Sequence, residues 1–147
     1  SAGNYAGVGF LNKAFTSTEQ NAIVSASVDN SAATTDNNTN VYASENTTDK
    51  IFALSYQDLR NTAYGFSGDS SADSTRQAPV SDYARAVGAY MFTGYYYGMG
   101  EWLTRSPLSS GGYGASVSTV GSSGAFSSID SGSPSCDILP ASRVNIA

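Results

Sequence analysis

The chain contains no histidine, a single cysteine and few charged side chains. Without histidine it lacks the commonest general base near neutral pH and the imidazole ligands of many zinc sites. The lone Cys136 cannot form an internal disulfide and has no histidine to activate it as a nucleophile. No hydrolase elbow, zinc-protease motif, phosphate loop or dinucleotide fingerprint occurs. We therefore expect no catalytic residue, no metal site and no cofactor, and we predict that the protein is not an enzyme.

The acidic residues of the C-terminal half do not change this expectation. A carboxylate pair could perform acid–base chemistry, as in glycoside hydrolysis. The spacing of Glu101, Asp130 and Asp137, however, singles out no pair. We expect these side chains to be solvated loop charges or partners of Arg105 or Arg143.

Charged residues make up only 13% of the chain, and the net charge is -5. Proteins that bind the phosphate backbone need a basic surface, so nucleic acid is not an expected partner. No apolar run approaches the length of a bilayer span, so no membrane insertion is expected. Serine, threonine, asparagine, glycine and tyrosine dominate the polar composition, which is typical of exported or virion-surface proteins. We predict an extracellular, cell-surface or virion location.

The 147 residues are expected to form one domain, residues 1–147. Thr16 and Glu19 have capping-box spacing, and a helix is predicted within Phe10–Val28. The Asn- and Thr-rich segment Ser27–Asp49 is expected to be a long loop or an irregular hairpin. Its two glycosylation-type triplets, at Asn37 and Asn46, also arise from such a composition by chance.

The segment Lys50–Ser55 is predicted to be a buried strand that runs into one short helix, with Ser55 and Asp58 at its start. Ser81 and Asp82 are predicted to begin another helix. The apolar face of this second helix is expected to comprise Ala84, Val87 and Met91.

The C-terminal half is predicted to be rich in strands. The glycine-flanked tyrosines Tyr95–Tyr97 indicate an exposed or edge strand whose alternate rings face opposite ways. Further strands are expected in ASVSTV and AFSSI, joined by the turn GSSG, and a last one in ILPASRVNIA. Helices followed by strands indicate the α+β class.

Five segments, in order, resemble the signature of an uncharacterised domain family of bacterial and phage surface proteins. They are FLNKAFTSTEQNAI, DKIFALSYQDL, VSDYARAVGAY, EWLTRSP and ILPASRVNI. The signature contains W-W-L-R-S-P and, after a spacer, V-R-P-A-L. Here Thr104 is inserted, and Leu139 stands where the family has arginine, a charge that Arg143 is expected to supply. The family's I-R-x-W-L-N segment does not precede Phe10, so the N-terminal strand is expected to lie outside this sequence.

This family is in turn similar to C-type-lectin-like domains of the formylglycine-generating-enzyme type, which include the variable proteins of diversity-generating retroelements. The resemblance implies a C-type-lectin-like α+β fold, with two or three short helices on small antiparallel sheets, that displays a mutable binding surface near its C-terminus. Adenine-directed mutagenesis of asparagine-type codons does not yield Lys, Glu, Gln, Met or Trp, and none of these occurs in Ser106–Ala147. A meander of short, closely packed strands would avoid the same side chains.

Tyrosine, serine and glycine are also the residues that antibody paratopes favour. Strand alternation places Val117 and Ile129 inward and their polar neighbours outward. The predicted ligand-binding residues are Tyr95, Tyr97, Tyr113, Ser116, Ser118, Ser122, Ser123, Phe126, Ser128 and Asp130. Tyr113 and Phe126 are expected to be the anchors. Any one of the serines fits a solvated strand position as well, and Tyr113 fits a ring that lies on the sheet.

Four residues are assigned a structural role: Trp102, Arg105, Pro107 and Pro140. Trp102 is expected to belong to the fixed framework. Arg105 is expected to hold a buried carboxylate or backbone carbonyls through its guanidinium group. Pro107 is expected to end the framework strand.

The sequence therefore predicts a non-enzymatic ligand-display domain of a surface or virion protein, contacting a protein or glycan ligand through its C-terminal strands and Tyr95–Tyr97. The alternative is a structural module of a bacterial surface layer, filament or virion, whose strands pack against neighbouring subunits. A homo-oligomer or a place in a larger surface protein fits both. An enzyme related to the formylglycine-generating fold is disfavoured, because that activity requires cysteine pairs or metal ligands and the chain has only Cys136.

Overall fold

The computed structural model describes residues 9–109, 116–130 and 136–145. Three short α-helices occur in this part of the chain: α1, α2 and α3, over Phe10–Ala14, Ser17–Ala22 and Asp82–Ala86. Single turns of 3-10 helix lie at Ala32–Thr34, Asp58–Arg60, Thr62–Tyr64 and Ser74–Arg76. The strands are β1 Ile23–Val24, β2 Ala26–Val28, β3 Thr47–Asp49, β4 Ile51–Ala53, β5 Trp102–Pro107, β6 Ser116–Val120, β7 Phe126–Asp130, β8 Asp137–Ile138 and β9 Pro140–Val144.

The strands form three small sheets. In the first, β9 lies between β1 and β4 and is antiparallel to both, whereas β2 and β3 pair as an antiparallel ribbon. The third sheet has the order β7-β6-β5-β8, in which only β5 and β8 run parallel. The described residues thus form an α+β domain with few short helices and mostly antiparallel sheets, which confirms the predicted class.

The N-terminal helix prediction is confirmed at its cap and wrong in its extent. The Thr16 amide donates to the Glu19 carboxylate at 2.7 Å, and the Glu19 amide returns a bond to the Thr16 hydroxyl at 3.4 Å. The helix ends at Ala22. Ile23 and Ala26 lie beyond the helix, buried on β1 and β2, because pairing with β9 and β3 provides the backbone partners that a longer helix would have supplied.

The following segment confirms the irregular hairpin, since β2 and β3 pair across a long connection. At Ser55 the amide donates to the Asp58 carboxylate at 2.9 Å, while the Asp58 amide donates to the Ser55 hydroxyl at 2.9 Å, so the spacing of the two residues forms the expected reciprocal bonds. The helix itself is a single 3-10 turn that begins only at Asp58, after Gln57 as its N-cap residue. The predicted strand before it is half-buried and not buried, because β4 is the edge strand of its sheet.

Helix α3 begins at the predicted cap, where the Ser81 hydroxyl accepts a bond from the Ala84 amide at 3.2 Å. It ends after five residues, before Gly88, which has a positive φ of 100°. Val87 is therefore exposed and Met91 lies beyond the helix. The predicted face of Ala84, Val87 and Met91 is wrong.

The segment 92–99, which we call the tyrosine turn, is not the predicted strand. The Phe92 amide donates to the Met99 carbonyl at 2.9 Å, and the Gly98 amide donates back to the Phe92 carbonyl at 3.0 Å. Gly98 has a positive φ of 88°, which closes the turn at little steric cost. The backbone of the segment thus turns back on itself and does not run beside a neighbouring strand as an extended chain.

The main core cluster comprises Leu59, Trp102 and Val120, with Leu54, Phe66, Ala78 and Phe126 packed against it. Trp102 and Val120 face each other in the β5–β6 register. The Trp102 indole N–H donates to the Arg76 carbonyl at 3.3 Å, so the ring is satisfied while buried. Among the residues described, no helix has the length and apolar character to cross a membrane.

Candidate functional site

The tyrosine turn and the β6–β7 turn face each other across a cleft of about 410 Å³, which we call the aromatic cleft. Its lining includes four aromatic rings, from Tyr90, Phe92, Tyr96 and Phe126, and the three hydroxyls of Ser122, Ser123 and Ser127, together with Glu101. A cleft of this size and mixed lining falls in the range of small-ligand sites.

The tyrosine turn supplies one wall of the cleft. The Phe92 and Tyr96 rings lie with centroids 6.5 Å apart, and Tyr95 packs edge-on against Tyr96 at 5.0 Å. Tyr95 and Tyr97 themselves are 93% and 66% exposed and do not line the cleft. The structure therefore brings Tyr96 into the cleft and leaves the two predicted tyrosines at the surface beside it.

Glu101 supplies the charge of the cleft. Its Oε1 accepts a bond from the Thr119 hydroxyl at 3.0 Å, which fixes the carboxylate. Within the part of the chain that the structure describes, no lysine or arginine lines the cleft. The carboxylate retains acceptor capacity for the O–H or N–H groups of a ligand.

Phe126 lines the cleft and also packs against the hydrophobic core cluster. Its ring lies 4.3 Å from the Tyr56 ring, and the Arg76 guanidinium carbon lies 4.9 Å from its centroid. These contacts fix the ring from below. Phe126 is therefore a framework residue as much as the predicted anchor.

Arg76, which the sequence does not single out, holds the segments beneath the cleft together. It is almost completely buried, and its Nε donates to the Gly124 carbonyl at 2.7 Å. Further bonds from the guanidinium go to the carbonyls of Leu59, Ser67, Asp69 and Ser71. One side chain thus ties the β6–β7 turn to the loop over residues 59–71.

Asp73 completes this cluster. Its carboxylate accepts bonds from the Ser67 amide at 2.9 Å and the Thr75 hydroxyl at 2.7 Å, and lies 3.3 Å from the Arg76 guanidinium. These hydrogen bonds, the one from the Ser67 amide above all, hold the pKa of Asp73 well below its usual range. The Asp73 amide also donates to the Ser123 carbonyl at 3.2 Å.

The backbone of the β6–β7 turn is thus held at two successive carbonyls. Gly124 has a positive φ of 78°, and a Cβ there would lie 1.9 Å from the Asp73 carbonyl oxygen. Only glycine fits at this position. The side chains of Ser122 and Ser123 contribute little to this arrangement, since with the described residues they make one hydrogen bond, from the Ala125 amide to the Ser123 hydroxyl at 3.3 Å.

The predicted ligand-binding residues of the strands are only partly brought to this site. Ser118 is buried, which contradicts the prediction, because the end of β6 is covered on both faces and alternation no longer separates inside from outside. Ser116 is half-buried, while Ser128 and Asp130 are exposed on β7 outside the cleft. Tyr113 lies outside the described residues.

The contacts predicted for Arg105 are present. Its Nη1 donates to the Asp58 carboxylate at 2.7 Å and to the Ala53 carbonyl at 2.9 Å, and Nη2 reaches the Asp29 carbonyl at 3.1 Å. Strand β5 ends at Pro107 as expected. Pro140 is the first residue of β9 and lies opposite Ala53.

The Cys136 thiol is half-buried beside two carboxylates. Burial, together with the negative charges of Glu101 and Asp137, raises the pKa of Cys136 to about 11. The thiol is thus protonated at neutral pH and is a poor nucleophile.

Comparison with known proteins gives one match. A family model described as "Domain of unknown function (DUF6273)" matches residues 3–145. No curated protein and no solved structure matches the chain significantly.

Proposed function

The chain belongs to the DUF6273 family of domains of unknown function, and from that premise we propose that it is a non-enzymatic ligand-binding domain that displays its binding surface at the aromatic cleft. The ligand is a protein or a glycan on a cell surface. The domain itself belongs to an extracellular, cell-surface or virion protein.

The observation that carries the proposal is the meeting of the tyrosine turn with the β6–β7 turn. Aromatic rings offer a large contact area at low conformational cost, and the serine hydroxyls and the Glu101 carboxylate add adaptable hydrogen bonding. The same mixture characterises paratopes. Acid–base or nucleophilic chemistry has less support at this cleft, because Glu101 is its one titratable carboxylate and its bond from Thr119 is a positioning contact.

The hydrogen bonds that hold the β6–β7 turn beneath the cleft favour a domain that displays a ligand-binding surface there. Buried Arg76 and half-buried Asp73 donate hydrogen bonds to backbone carbonyls of the β6–β7 turn, so the turn's shape does not depend on Ser122 or Ser127. A surface of this kind tolerates side-chain change. We propose accordingly that the domain is C-type-lectin-like and that its C-terminal region is the variable part of a retroelement-diversified protein.

Binding is tested with a panel of glycans and bacterial surface proteins. Tyr96→Ser and Ser122→Arg, made singly and together, are expected to weaken capture at least about tenfold while the melting temperature of Ser122→Arg stays unchanged. Ser25→Arg, at an exposed serine that does not line the cleft, is the matched control. Equal binding by wild type and the double variant would place the site elsewhere.

Diversification is tested separately in the neighbouring DNA. A near-copy of the region that encodes Ser106–Ala147, differing at adenines and adjacent to a reverse transcriptase, is expected. If no such repeat exists, the variable-protein part of the proposal fails and the binding part remains.

A structural module of a surface layer, filament or virion is the second candidate, and exposed apolar side chains favour it. Phe10 and Val24 are exposed, and Val144, which lies opposite Ile23 in the β1–β9 register, is 55% exposed. Such side chains are typical of surfaces that pack against other subunits. Sedimentation should then show an assembly that Val144→Lys dissociates, whereas a monomer at high concentration would exclude this candidate.

A further inference from the structure

A second cleft, of about 420 Å³, lies between α3, the segment 78–80 and β8. We call it the Asp137 cleft. Most of its lining is apolar, with the side chains of Val80, Ala84, Val87, Trp102, Ile138 and Leu139. Trp102 and Glu101 are neighbours on the chain but line different clefts, so the two sites lie on opposite sides of the start of β5.

Among the described residues that line this cleft, only Asp137 is charged. Its backbone is fixed, since its amide donates to the Glu101 carbonyl at 2.9 Å and it pairs with Trp102 between β8 and β5. Its carboxylate, in contrast, receives no hydrogen bond and no cation from any residue of the described ranges. The other polar side chain in the lining, Ser81, already accepts the bond from the Ala84 amide that begins α3.

A half-buried carboxylate without a partner is costly, because the apolar surroundings replace water and return no hydrogen bonds. Burial accordingly raises the pKa of Asp137. A ligand cation in the cleft would remove this cost and gain a charge-assisted hydrogen bond.

Gly100 keeps the carboxylate accessible to the cleft. A Cβ at this position would lie 3.0 Å from the Asp137 Oδ2 and 3.0 Å from a methyl group of Val80. The absence of a side chain therefore leaves room between the carboxylate and the Val80 methyl group. Val87 and Ile138, which are 63% and 71% exposed, extend the apolar surface to the rim.

We propose that the Asp137 cleft binds a small organic ammonium ion, whose apolar body lies against Trp102 and Ile138 and whose ammonium group pairs with the Asp137 carboxylate. The volume matches that of small-molecule sites, which are mostly apolar with a few placed polar groups. The chain's net charge of -5 attracts such a cation and disfavours an anion of the same shape. This site is independent of the aromatic cleft.

The test uses three probes with the same alkyl body: n-hexylammonium, n-hexanol and hexanoate. Binding is followed by the emission of Trp102, the only tryptophan of the chain, and by calorimetry. Hexylammonium is expected to bind about tenfold more tightly than hexanol, as one charge-assisted bond predicts, and hexanoate more weakly than both.

Asp137→Asn is expected to abolish the preference for hexylammonium and to leave hexanol binding unchanged. It should fold, since it removes a charge whose burial is unfavourable. Asp82→Asn is the matched control, because Asp82 lies on α3 with its side chain fully in solvent and does not line the cleft. Val87→Lys, at the exposed rim, introduces an ammonium group that competes with the probe and should weaken hexylammonium binding without affecting the fold.

Equal affinity for hexylammonium and hexanol in the wild type would overturn the proposal. So would a preference for hexylammonium that survives in Asp137→Asn, or the absence of binding by both probes. A lysine-containing peptide that binds in an Asp137-dependent manner while hexylammonium does not would also overturn it, in favour of a protein partner.

Discussion

The Arg76 Nε donates to the Gly124 carbonyl oxygen at 2.7 Å, across 48 residues of sequence. This bond joins a short 3-10 helix to the turn that forms one wall of the aromatic cleft. The same guanidinium holds carbonyls of the loop over residues 59–71 and lies against the Phe126 ring. The geometry of the proposed binding surface therefore depends on an interior side chain that no ligand touches.

Arg76→Lys should destabilise the fold strongly. Lysine keeps the charge but has no planar fork, so several buried carbonyls and the Asp73 carboxylate lose their donor. We expect the free energy of unfolding to fall by about 3 kcal/mol in urea denaturation. Arg85→Lys, which alters an exposed pair with Asp82 at 3.9 Å, should change it by less than about 0.5 kcal/mol. Similar effects of the two variants would show that the buried cluster contributes little.

Gly124→Ala tests the close approach of the β6–β7 turn to Asp73. A methyl group there overlaps the Asp73 carbonyl, so the turn must shift as well as adopt a strained φ. The expected loss is more than about 2 kcal/mol in the free energy of unfolding. Gly65→Ala has a similar φ of 89° but open space around the added carbon, and should cost about 1 kcal/mol. A loss at Gly124 no greater than at Gly65 would contradict the steric argument.

Ser118→Ala should leave the protein as stable or raise its free energy of unfolding by about 1 kcal/mol, because the Ser118 hydroxyl is buried and has no hydrogen-bond partner among the described residues. Ser106 is the contrasting case. Its hydroxyl accepts from the Tyr56 amide at 3.0 Å and donates to the Thr34 carbonyl at 2.9 Å. Ser106→Ala should therefore lower the free energy of unfolding by about 2 kcal/mol. Chemical denaturation of both variants measures the difference, and a destabilised Ser118→Ala would indicate an additional partner.

The low pKa of Asp73 links stability to pH. Since the folded state holds this pKa below that of the unfolded chain, the stabilisation is complete above the unfolded value of about 3.9 and is lost as the pH falls below it. Thermal melts between pH 7 and pH 2 should show this loss. The melting temperature of Asp73→Asn should be lower than that of the wild type at pH 7, and it should fall less than that of the wild type on acidification. Parallel acid profiles of the two proteins would assign the loss to other carboxylates.

The Cys136 thiol should be alkylated slowly in the folded protein. With its pKa near 11 instead of the ordinary 9.0, the thiolate fraction at pH 8 falls about a hundredfold. Iodoacetamide labelling followed by mass spectrometry should show that Cys136 is alkylated about a hundredfold more slowly in the native protein than in the protein unfolded in urea. The alkylation rate of the native protein should still rise up to pH 10. Equal rates in both conditions would place the thiol in an ordinary aqueous environment.

The features predicted correctly from the sequence are those encoded by neighbouring residues. Thr16 with Glu19 and Ser55 with Asp58 form caps within four residues of chain, and the hairpin of β6 and β7 follows from alternation around a glycine-rich turn. The tyrosine run has the residue types of a strand. It forms a turn instead because glycines and backbone bonds within 92–99 close it on itself.

Arg76 could not have been found in this way. It is one arginine in a polar loop without hydrophobic periodicity, and most of its partners are backbone carbonyls, which leave no signature in the residue types. The same limit applies to the aromatic cleft, whose walls lie about 30 residues apart in the chain. Serine, phenylalanine and tyrosine indicated the chemistry of the surface, but the pairing of the two turns depends on tertiary packing.

Two hydrogen bonds, from the Arg76 Nε and the Asp73 amide to successive carbonyls of the β6–β7 turn, make this hairpin a suitable graft site. Because its path is held at Ser123 and Gly124 through main-chain atoms, a library that randomises positions 122 and 127 and retains Gly124 should yield mostly folded members. The domain would then serve as a small, disulfide-free scaffold for selecting new binders.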